Sequence, residues 1–526
     1  MKLLNKSKSM KVISERMTKM AININEIENK LWAAADMLRG NMSAEEYMHT
    51  ILGILSLKYI SDRYKVGYAK LINDGLDLDL IDAKTFYYGY NSFIVDEQTS
   101  WEYIMKFANS PEIGEKIDNA FLKLEESNEM LRGIFSKNFN KEGVDQVKLG
   151  NVIKIFSDED FSGAQEEDLI GRIYEYFLGK FFKDRGQKGG EFYTPTSIVQ
   201  LMVNLIKPTK GTIYDPACGS GGILIQSKRY IESHDGNLDD VTMYGQEYNN
   251  VTWKLAKLNL VLHGFTLFDT DGNGVLGQRS ADTFTDDQHR NKRFDFVMAN
   301  PPFNMKEWGQ EQLLDDPRFK WGVPPKGNAN YAWLSHMVSK LSSKGRAAIV
   351  LANGSLSSSQ KAEKDIRIKF VEDNKVDAII ELPDKLFYTT GIPASIWIFN
   401  NNKKNDNILM VSASSLEGNM LSKKLRELTD ENIASIADLY SEHLLGNEIN
   451  QIGFAKTISK EELVENDYSF VPGRYVGTNE EVIDKTVVRE EIKKIAGELS
   501  KLMKEFSDSI PEIEQAIEKA LKSNED

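Results

Sequence analysis

The residues best equipped for chemistry sit in the stretch Phe294-Asp-Phe-Val-Met-Ala-Asn-Pro-Pro-Phe303. Residues 294–299 are apolar except for Asp295 and read as a buried strand. Pro301 and Pro302 end that strand sharply, since neither offers an N–H to a ladder and each fixes its own φ. Proline also biases the residue before it to extended geometry, which holds Asn300 out at the strand tip. The Asn300 side-chain oxygen and the Pro301 carbonyl can both accept from an exocyclic amine, and Phe303 can stack on a flat ring. Such a set suits a planar base bearing an NH2 group, taken out of its duplex stack. Taken alone, Asn-Pro-Pro reads equally well as an ordinary strand-to-loop turn.

A second group lies upstream, in Asp215-Pro-Ala-Cys-Gly-Ser-Gly-Gly222. Gly219, Gly221 and Gly222, with Ser220 between them, let a ligand come close to the backbone. The dinucleotide fingerprint fails here, because its third glycine position is Leu224. An acid at the strand end, Asp215, suits a ligand with a cationic amine, such as a methionine moiety. Glu247 ends the next strand, where a carboxylate can accept from both hydroxyls of a ribose. An adenosine joined to an amino acid satisfies all three features, and S-adenosylmethionine is that molecule. Either acid alone is a common surface feature at a strand end.

These residues need a parallel sheet to bring them to one edge, and the chain alternates strand and helix accordingly. Strands are expected at 212–215, 241–246, 294–299, 346–351 and 376–381. Helices are expected at 197–205, 223–232, 250–263, 329–341 and 361–372. Residues 395–399 and 408–411 look like a closing hairpin-type pair. The fold class is therefore α/β, a doubly wound Rossmann-like sheet that binds ligands at the carboxyl ends of its strands. Before it, residues 1–160 read as a helical N-terminal domain, followed by a further helix at 166–182. The sheet domain spans 161–475. Residues 476–526 carry a short heptad seam from Val488 to Phe506 and a capping box at Ser509–Glu512. These C-terminal helices either fold back or dock on a partner's helix.

Composition sets the outer limits. The chain has 526 residues, 41% hydrophobic and 27% charged, as in soluble globular proteins. No apolar run approaches the roughly 18 residues of a spanning helix, so no membrane partner is expected. The Lys-rich start lacks the apolar core of a signal peptide. A single cysteine, Cys218, excludes an internal disulfide and fits a cytoplasmic location. With 65 Lys and Arg against 79 Asp and Glu the net charge is −14. An acidic chain is a poor general binder of DNA, so local basic patches or a partner must supply most of the grip. Lys183, Arg185, Lys188, Arg318, Lys320 and Lys326 flank the motifs and are candidates for phosphate contact, or ordinary solvated charges.

Taken in order, these motifs resemble the modification (M) subunit of type I restriction-modification systems, a family of N6-adenine DNA methyltransferases. The resemblance spans residues 20–475. Gly190, Glu191, Phe192, Tyr193, Thr194 and Pro195 match the family segment flanking the methionine end of the cofactor. Asp215 to Gly222 matches the glycine loop, and Glu247 the ribose-binding acid. Asp282, in Ala281-Asp-Thr-Phe284, matches a Gly-Asp segment that contacts the cofactor's adenine, with Ala in place of Gly. Asn300, Pro301, Pro302 and Phe303 match the catalytic tetrapeptide. Asn328 to Trp333 and Leu386 to Pro393 resemble segments around the target base. The resemblance implies methyl transfer from S-adenosylmethionine to adenine N6 without a metal. It also implies DNA as substrate, a specificity (S) subunit that chooses the target, and a restriction (R) subunit in the full complex. Two M subunits per S subunit are expected.

Two decoys are set aside. Cytosine-C5 methylation needs a thiolate usually placed just after a proline, whereas Cys218 lies inside the glycine loop and reads as a small packing residue. Asp269-Thr-Asp-Gly-Asn-Gly274 resembles half of an EF-hand loop, but its twelfth position is Ser280 rather than Glu. No Gly-x4-Gly-Lys-Ser/Thr motor motif and no nuclease constellation occur. Three rival readings stay open: a protein glutamine methyltransferase, a self-sufficient DNA methyltransferase, and a non-enzymatic nucleic-acid-binding module.

Overall fold

Apolar residues at helical spacing make the first part of the chain a helical bundle. Its centre is the helix Ala44–Asn73, started by Ser43, whose hydroxyl caps Glu46 N while Glu46 reaches back to Ser43 N. Residues 51–60 of that helix are buried on every side, as a central helix requires. Around it pack a helix over 27–36 and the helices Ala83–Tyr90, Trp101–Lys106, Ile113–Ser127 and Gln146–Ser157. Gly150 permits one close approach: a Cβ there would lie 1.9 Å from the Ala108 carbonyl oxygen. This computed structural model describes residues 27–39, 42–158, 194–387, 392–422 and 425–477, with isolated positions in 173–180 and 497–511. The expected helix at 166–182 lies mostly outside the described residues, and so do the heptad seam and the capping box of the C-terminal tail.

The chain divides into two units, Met1–Val476 and Gly477–Asp526. The first holds both the bundle and a nine-stranded sheet. The strands are β1 (Gly211–Asp215), β2 (Val241–Gly245), β3 (Phe294–Ala299), β4 (Leu341–Ala352), β5 (Val376–Glu381), β6 (Ala394–Asn400), β7 (Ile408–Ser412), β10 (Asn450–Gln451) and β11 (Ala455–Ile458). Strands β8 (Asn419–Ser422) and β9 (Leu425–Glu427) form a separate antiparallel ribbon. The sheet order is β10-β11-β7-β5-β6-β4-β3-β1-β2. Neighbours β2, β1, β3 and β4 are parallel, which brings the carboxyl ends of β1, β2 and β3 to one edge. The expected doubly wound α/β sheet is the fold observed.

One expectation fails. Residues 395–399 and 408–411 do not pair as a hairpin. Strand β6 inserts antiparallel between β4 and β5, while β7 lies parallel on the far side of β5. The cause is burial: Val376–Ile380 are all covered, so β5 needs a neighbour on each side, and β6 and β7 supply one each. Strand β4 also begins earlier than its apolar run, at Leu341, because Phe294 N bonds to Lys340 O and Phe294 pairs with Leu341.

The bundle meets the sheet part through Tyr87, whose hydroxyl donates to the Phe265 carbonyl at 2.8 Å.

Candidate active site

Asn300 leaves β3 directly and is 8% exposed. Its Nδ2 donates to Thr194 Oγ1 at 3.0 Å, just before the helix Thr196–Ile206. That bond fixes which way the amide faces. Its Oδ1 is buried and has no hydrogen-bond partner among the described residues. Leaving a buried acceptor unpaired costs about 1–3 kcal/mol, so the fold sustains a local deficit that an incoming donor would remove. Behind the tip, Asn304 takes a left-handed φ of 54°. Asn304 N donates to Asn330 Oδ1 at 2.9 Å, and Asn330 Nδ2 returns to Asn304 Oδ1 at 3.0 Å. Ala329 N closes on Met305 O. Residues 328–330 thus clamp the loop that follows Phe303. The Phe303 ring meets Phe387 edge-on, with centroids 5.8 Å apart.

On the neighbouring strand, Asp215 is 1% exposed, and its Oδ1 accepts from Ala217 N at 3.0 Å. Burial, with the nearby Glu247 charge adding to it, pushes the Asp215 carboxyl up to about 8. Glu247 Oε2 accepts from Gly219 N at 3.0 Å and Oε1 from Asn249 N at 2.8 Å, so its carboxylate is fixed against the glycine loop. Gly219 and Gly221 hold φ of 53° and 85°, values an L side chain rarely adopts. A Cβ on Gly219 or Gly222 would meet nothing within 4 Å, which marks open space beside both residues. The helix Gly222–Ser233 begins at Gly221 without a side-chain cap, and Ser220 O is held by Asn259 Nδ2. The uncapped N–H groups are available to a ligand.

Asp282 has a different partner set from a free ligand-facing acid. Its Oδ1 accepts from Phe284 N and Thr285 N, closing a turn. That turn is stitched into the site on both sides. Ala281 N donates to Glu247 O, and Thr283 Oγ1 to Pro216 O. Thr283 is a brace that sequence reasoning missed. Pro195 is the residue that precedes the helix Thr196–Ile206, and its carbonyl accepts from Ile198 and Val199 N. Gly190, Glu191, Phe192 and Tyr193 lie outside the described residues, as do 388–391 of the second base-flanking segment.

Two acids beside a pinned glycine loop favour a cation-bearing ligand, and an open acceptor one strand away favours an amine donor. Residues 165–484 match the N-6 DNA methylase family, and residues 27–156 match the HsdM N-terminal domain. The chain belongs to the N-6 DNA methylases. The methylase subunit of the HindI type I restriction enzyme of Haemophilus influenzae is 41% identical over 78% of this chain and 92% of its own length. The MjaIX methylase subunit of Methanocaldococcus jannaschii is 33% identical over 92% of this chain and 91% of its own. In structure, the chain is similar to a type I restriction-modification methyltransferase subunit from Streptococcus thermophilus, with a TM-score of 0.74 and 28% identity. That match covers 86% of this chain and 99% of the other. It is a type I methylase subunit of the adenine-specific class.

Several charged residues of this methylase have structural partners. Arg318, a candidate phosphate contact from sequence, is used within the fold instead. Its guanidinium bonds the carbonyls of Thr283 and Phe284 and both oxygens of Asp316. The signal was local: Asp316-Pro-Arg318 is a turn in which Asp316 also caps Arg318 N. Lys320 lies over the Trp321 ring and 3.6 Å from Asp373, and Lys326 pairs with Glu311. Lys183, Arg185 and Lys188 lie outside the described residues. The Asp269 turn is closed by its own groups, since Asp269 accepts from Asp271 N and Asn273 N and pairs with Lys292 at 2.9 Å. The Cys218 thiol is buried and driven well above its ordinary range, mainly by burial, which opposes thiolate chemistry. Among the described residues no helix is long and apolar enough to cross a membrane.

The Asp215 carboxyl gives a pH prediction. Its folded value of about 8 lies above the ordinary one near 3.9. Raising the folded value makes protonation favour the fold. The contribution is whole below about pH 4 and is lost as pH rises through 8. Asp215→Asn removes this titration. Thermal melts of the ligand-free protein should show the variant gaining on wild type as pH climbs from 5 to 9. A difference that stays constant with pH would refute the assignment.

Proposed function

We propose that the chain is the M subunit of a type I restriction-modification complex. It transfers a methyl group from S-adenosylmethionine to adenine N6, at a DNA target chosen by an S subunit. The observation that carries this reading is the Asn300 amide, with Nδ2 tied to Thr194 and Oδ1 buried without a donor. An adenine amine supplies that donor. Hydrogen bonds from N6 to Asn300 Oδ1 and to the Pro301 carbonyl draw the nitrogen's lone pair out of conjugation with the ring. Phe303, braced edge-on by Phe387, offers a stacking face for the extruded base.

The residues around β1 and β2 fit the cofactor. Space opens beside Gly219 and Gly222, the helix start is uncapped, and Asp215 and Glu247 gain from a cationic ligand. Asp215 would hold the amino-acid end and Glu247 the ribose; Asp282, through the turn it closes, would border the adenine. Residues 190–195 would flank the methionine end. When bound, S-adenosylmethionine supplies an electrophilic methyl. The chain's own part is to align the amine with it and exclude other geometries.

The relatives are named as subunits of restriction enzymes, and this chain's net charge of −14 disfavours an unaided grip on DNA. Both support assembly with further subunits, which we take to be an S subunit, at two M subunits to one S, and an R subunit in the full complex. We assign residues 1–160 to a helical domain, 161–475 to methyl transfer and 476–526 to partner docking. Incubating the chain with labelled cofactor and plasmid, with and without its S subunit, tests the reading. Label in N6-methyladenine that depends on the S subunit is expected. Label in protein glutamine or in cytosine would overturn it.

Thr194 sits within a motif expected at the cofactor, yet its hydroxyl engages Asn300. We assign it as a positioning residue. Thr194→Val should lower kcat about tenfold, the worth of one orienting hydrogen bond, with KM for S-adenosylmethionine unchanged. Thr194→Ser should restore the rate. A rise in KM for the cofactor without a fall in kcat would instead put Thr194 on the cofactor.

A further inference from the structure

The amino edge of the sheet, opposite the Asn300 tip, holds a cavity of about 420 Å³. Lys210, Lys344, Arg346, Lys403 and Lys404 line it, against two acids, Asp295 and Asp377. Groups of the fold engage both acids. Asp295 accepts from Thr212 N, the Thr212 hydroxyl and the Ser342 hydroxyl. Asp377 accepts from Asn400 Nδ2 at 2.9 Å and the Tyr440 hydroxyl at 2.8 Å, and it faces His443 at 3.3 Å.

Those hydrogen bonds leave both acids charged, and Asp377 and Asp406 act on Lys403, but the five bases of the lining still outnumber its two acids. Lys344 and Lys404 are exposed and form no ion pair among the described residues. Lys210 meets Asp240 at 3.6 Å, with 77% of its side chain in solvent. Lys403 is half-buried, donates to the carbonyls of Val376 and Asn407, and is pushed down to about 8 by burial. Arg346 is anchored by the Ile206 carbonyl at 2.7 Å. Five bases converging on one concavity, in a chain of net charge −14, create a local field opposite in sign to the whole. A low-dielectric cleft focuses such a field on an entering anion.

We propose that this cavity binds a compact polyphosphate anion. Arg346 and Lys403 form its anchored floor, and Lys210, Lys344 and Lys404 close on the outer oxygens. The volume lies in the range of small-ligand cavities, and a bounded concavity suits a compact ion better than a groove-tracking duplex. A DNA backbone carries the same phosphate chemistry, so the test separates the two sources.

The full-length chain is titrated calorimetrically with sodium pyrophosphate at fixed ionic strength, and separately with a short non-specific duplex. Saturable one-site binding of pyrophosphate is expected, weaker at higher salt. In the double variant Lys344→Glu/Lys404→Glu, affinity should fall about tenfold or more. Both lysines are exposed, and an unchanged melting temperature verifies that the variant folds. Asn300→Ala should bind pyrophosphate as wild type does, since the tip lies at the other edge. Absent saturation, an unaffected double variant, or loss in Asn300→Ala would each overturn the proposal. So would a double variant that loses duplex affinity while its pyrophosphate binding persists, which would make the cavity a DNA contact.

Discussion

Asn300→Ala is expected to lower methyl transfer about 10³-fold while S-adenosylmethionine binds with unchanged affinity. In the proposed reaction the Asn300 carboxamide is the side-chain acceptor at the nucleophile. The structure leaves its oxygen buried and unpaired, held by the Nδ2 bond to Thr194. A single preorganised polar group at a reacting centre is worth about 10²–10³ in rate. The alanine removes the buried unsatisfied acceptor together with the Nδ2 bond to Thr194, two effects of opposite sign, so the net change in stability should be small. An unchanged melt then separates loss of rate from unfolding. Single-turnover transfer gives the rate, calorimetry the cofactor affinity, and a thermal melt the stability. Retained turnover would refute the role. Asn300→Asp, which keeps an acceptor but loses the Nδ2 donor, should fall between the two.

Lys340→Met is expected to destabilise the first unit by about 3–5 kcal/mol, the cost of breaking a buried ion pair. Lys340 is 1% exposed and pairs with Asp287 at 2.5 Å, both side chains being nearly inaccessible. Its Nζ also donates to the His289 carbonyl at 2.8 Å, and its own carbonyl receives Phe294 N. One lysine thus ties the 287–294 connector to the start of β4 and sets where β3 begins. Burial lowers its proton affinity, so the ion pair is sustained only by its partners. Removing the cation leaves buried Asp287 with only the Arg318 guanidinium, 4.0 Å away, as a counter-charge. The double variant Lys340→Met/Asp287→Leu removes both charges and should recover much of the loss, because apolar replacement of a buried pair is often near neutral. Denaturant unfolding of the two variants measures this. Equal destabilisation of single and double variants would show that packing, rather than the stranded charge, dominates.

Strands were legible where an apolar run met a hard stop. β3 occupies Phe294–Ala299 as read, because Pro301 and Pro302 mark its end, and β5 and the helix Lys361–Glu372 also keep their read boundaries. Pairing was not legible. The pattern of 394–400 specifies a buried strand without saying which neighbour it takes, and the hairpin reading failed there. At the site, the sequence indicated that Asp215, Glu247 and Asn300 stand at or just beyond strand ends, and the parallel register brings those ends to one edge. The bond between Thr194 and Asn300 spans 106 residues and leaves no trace in local spacing. The same holds for Arg318, whose charge suggested a phosphate while its planar fork is taken up by two carbonyls and a carboxylate.

The antiparallel insertion of β6 constrains how the protein is made. β4 bonds to β6 and never to β5, although β5 leaves the ribosome first. About 50 residues separate the end of β4 from the end of β6, and at about 5–20 residues per second they take several seconds to emerge. Throughout that interval the nascent chain carries a long apolar ladder edge with no lawful neighbour. Holdase chaperones that recognise such edges should engage stalled chains ending near residue 390 and release those extended past residue 412.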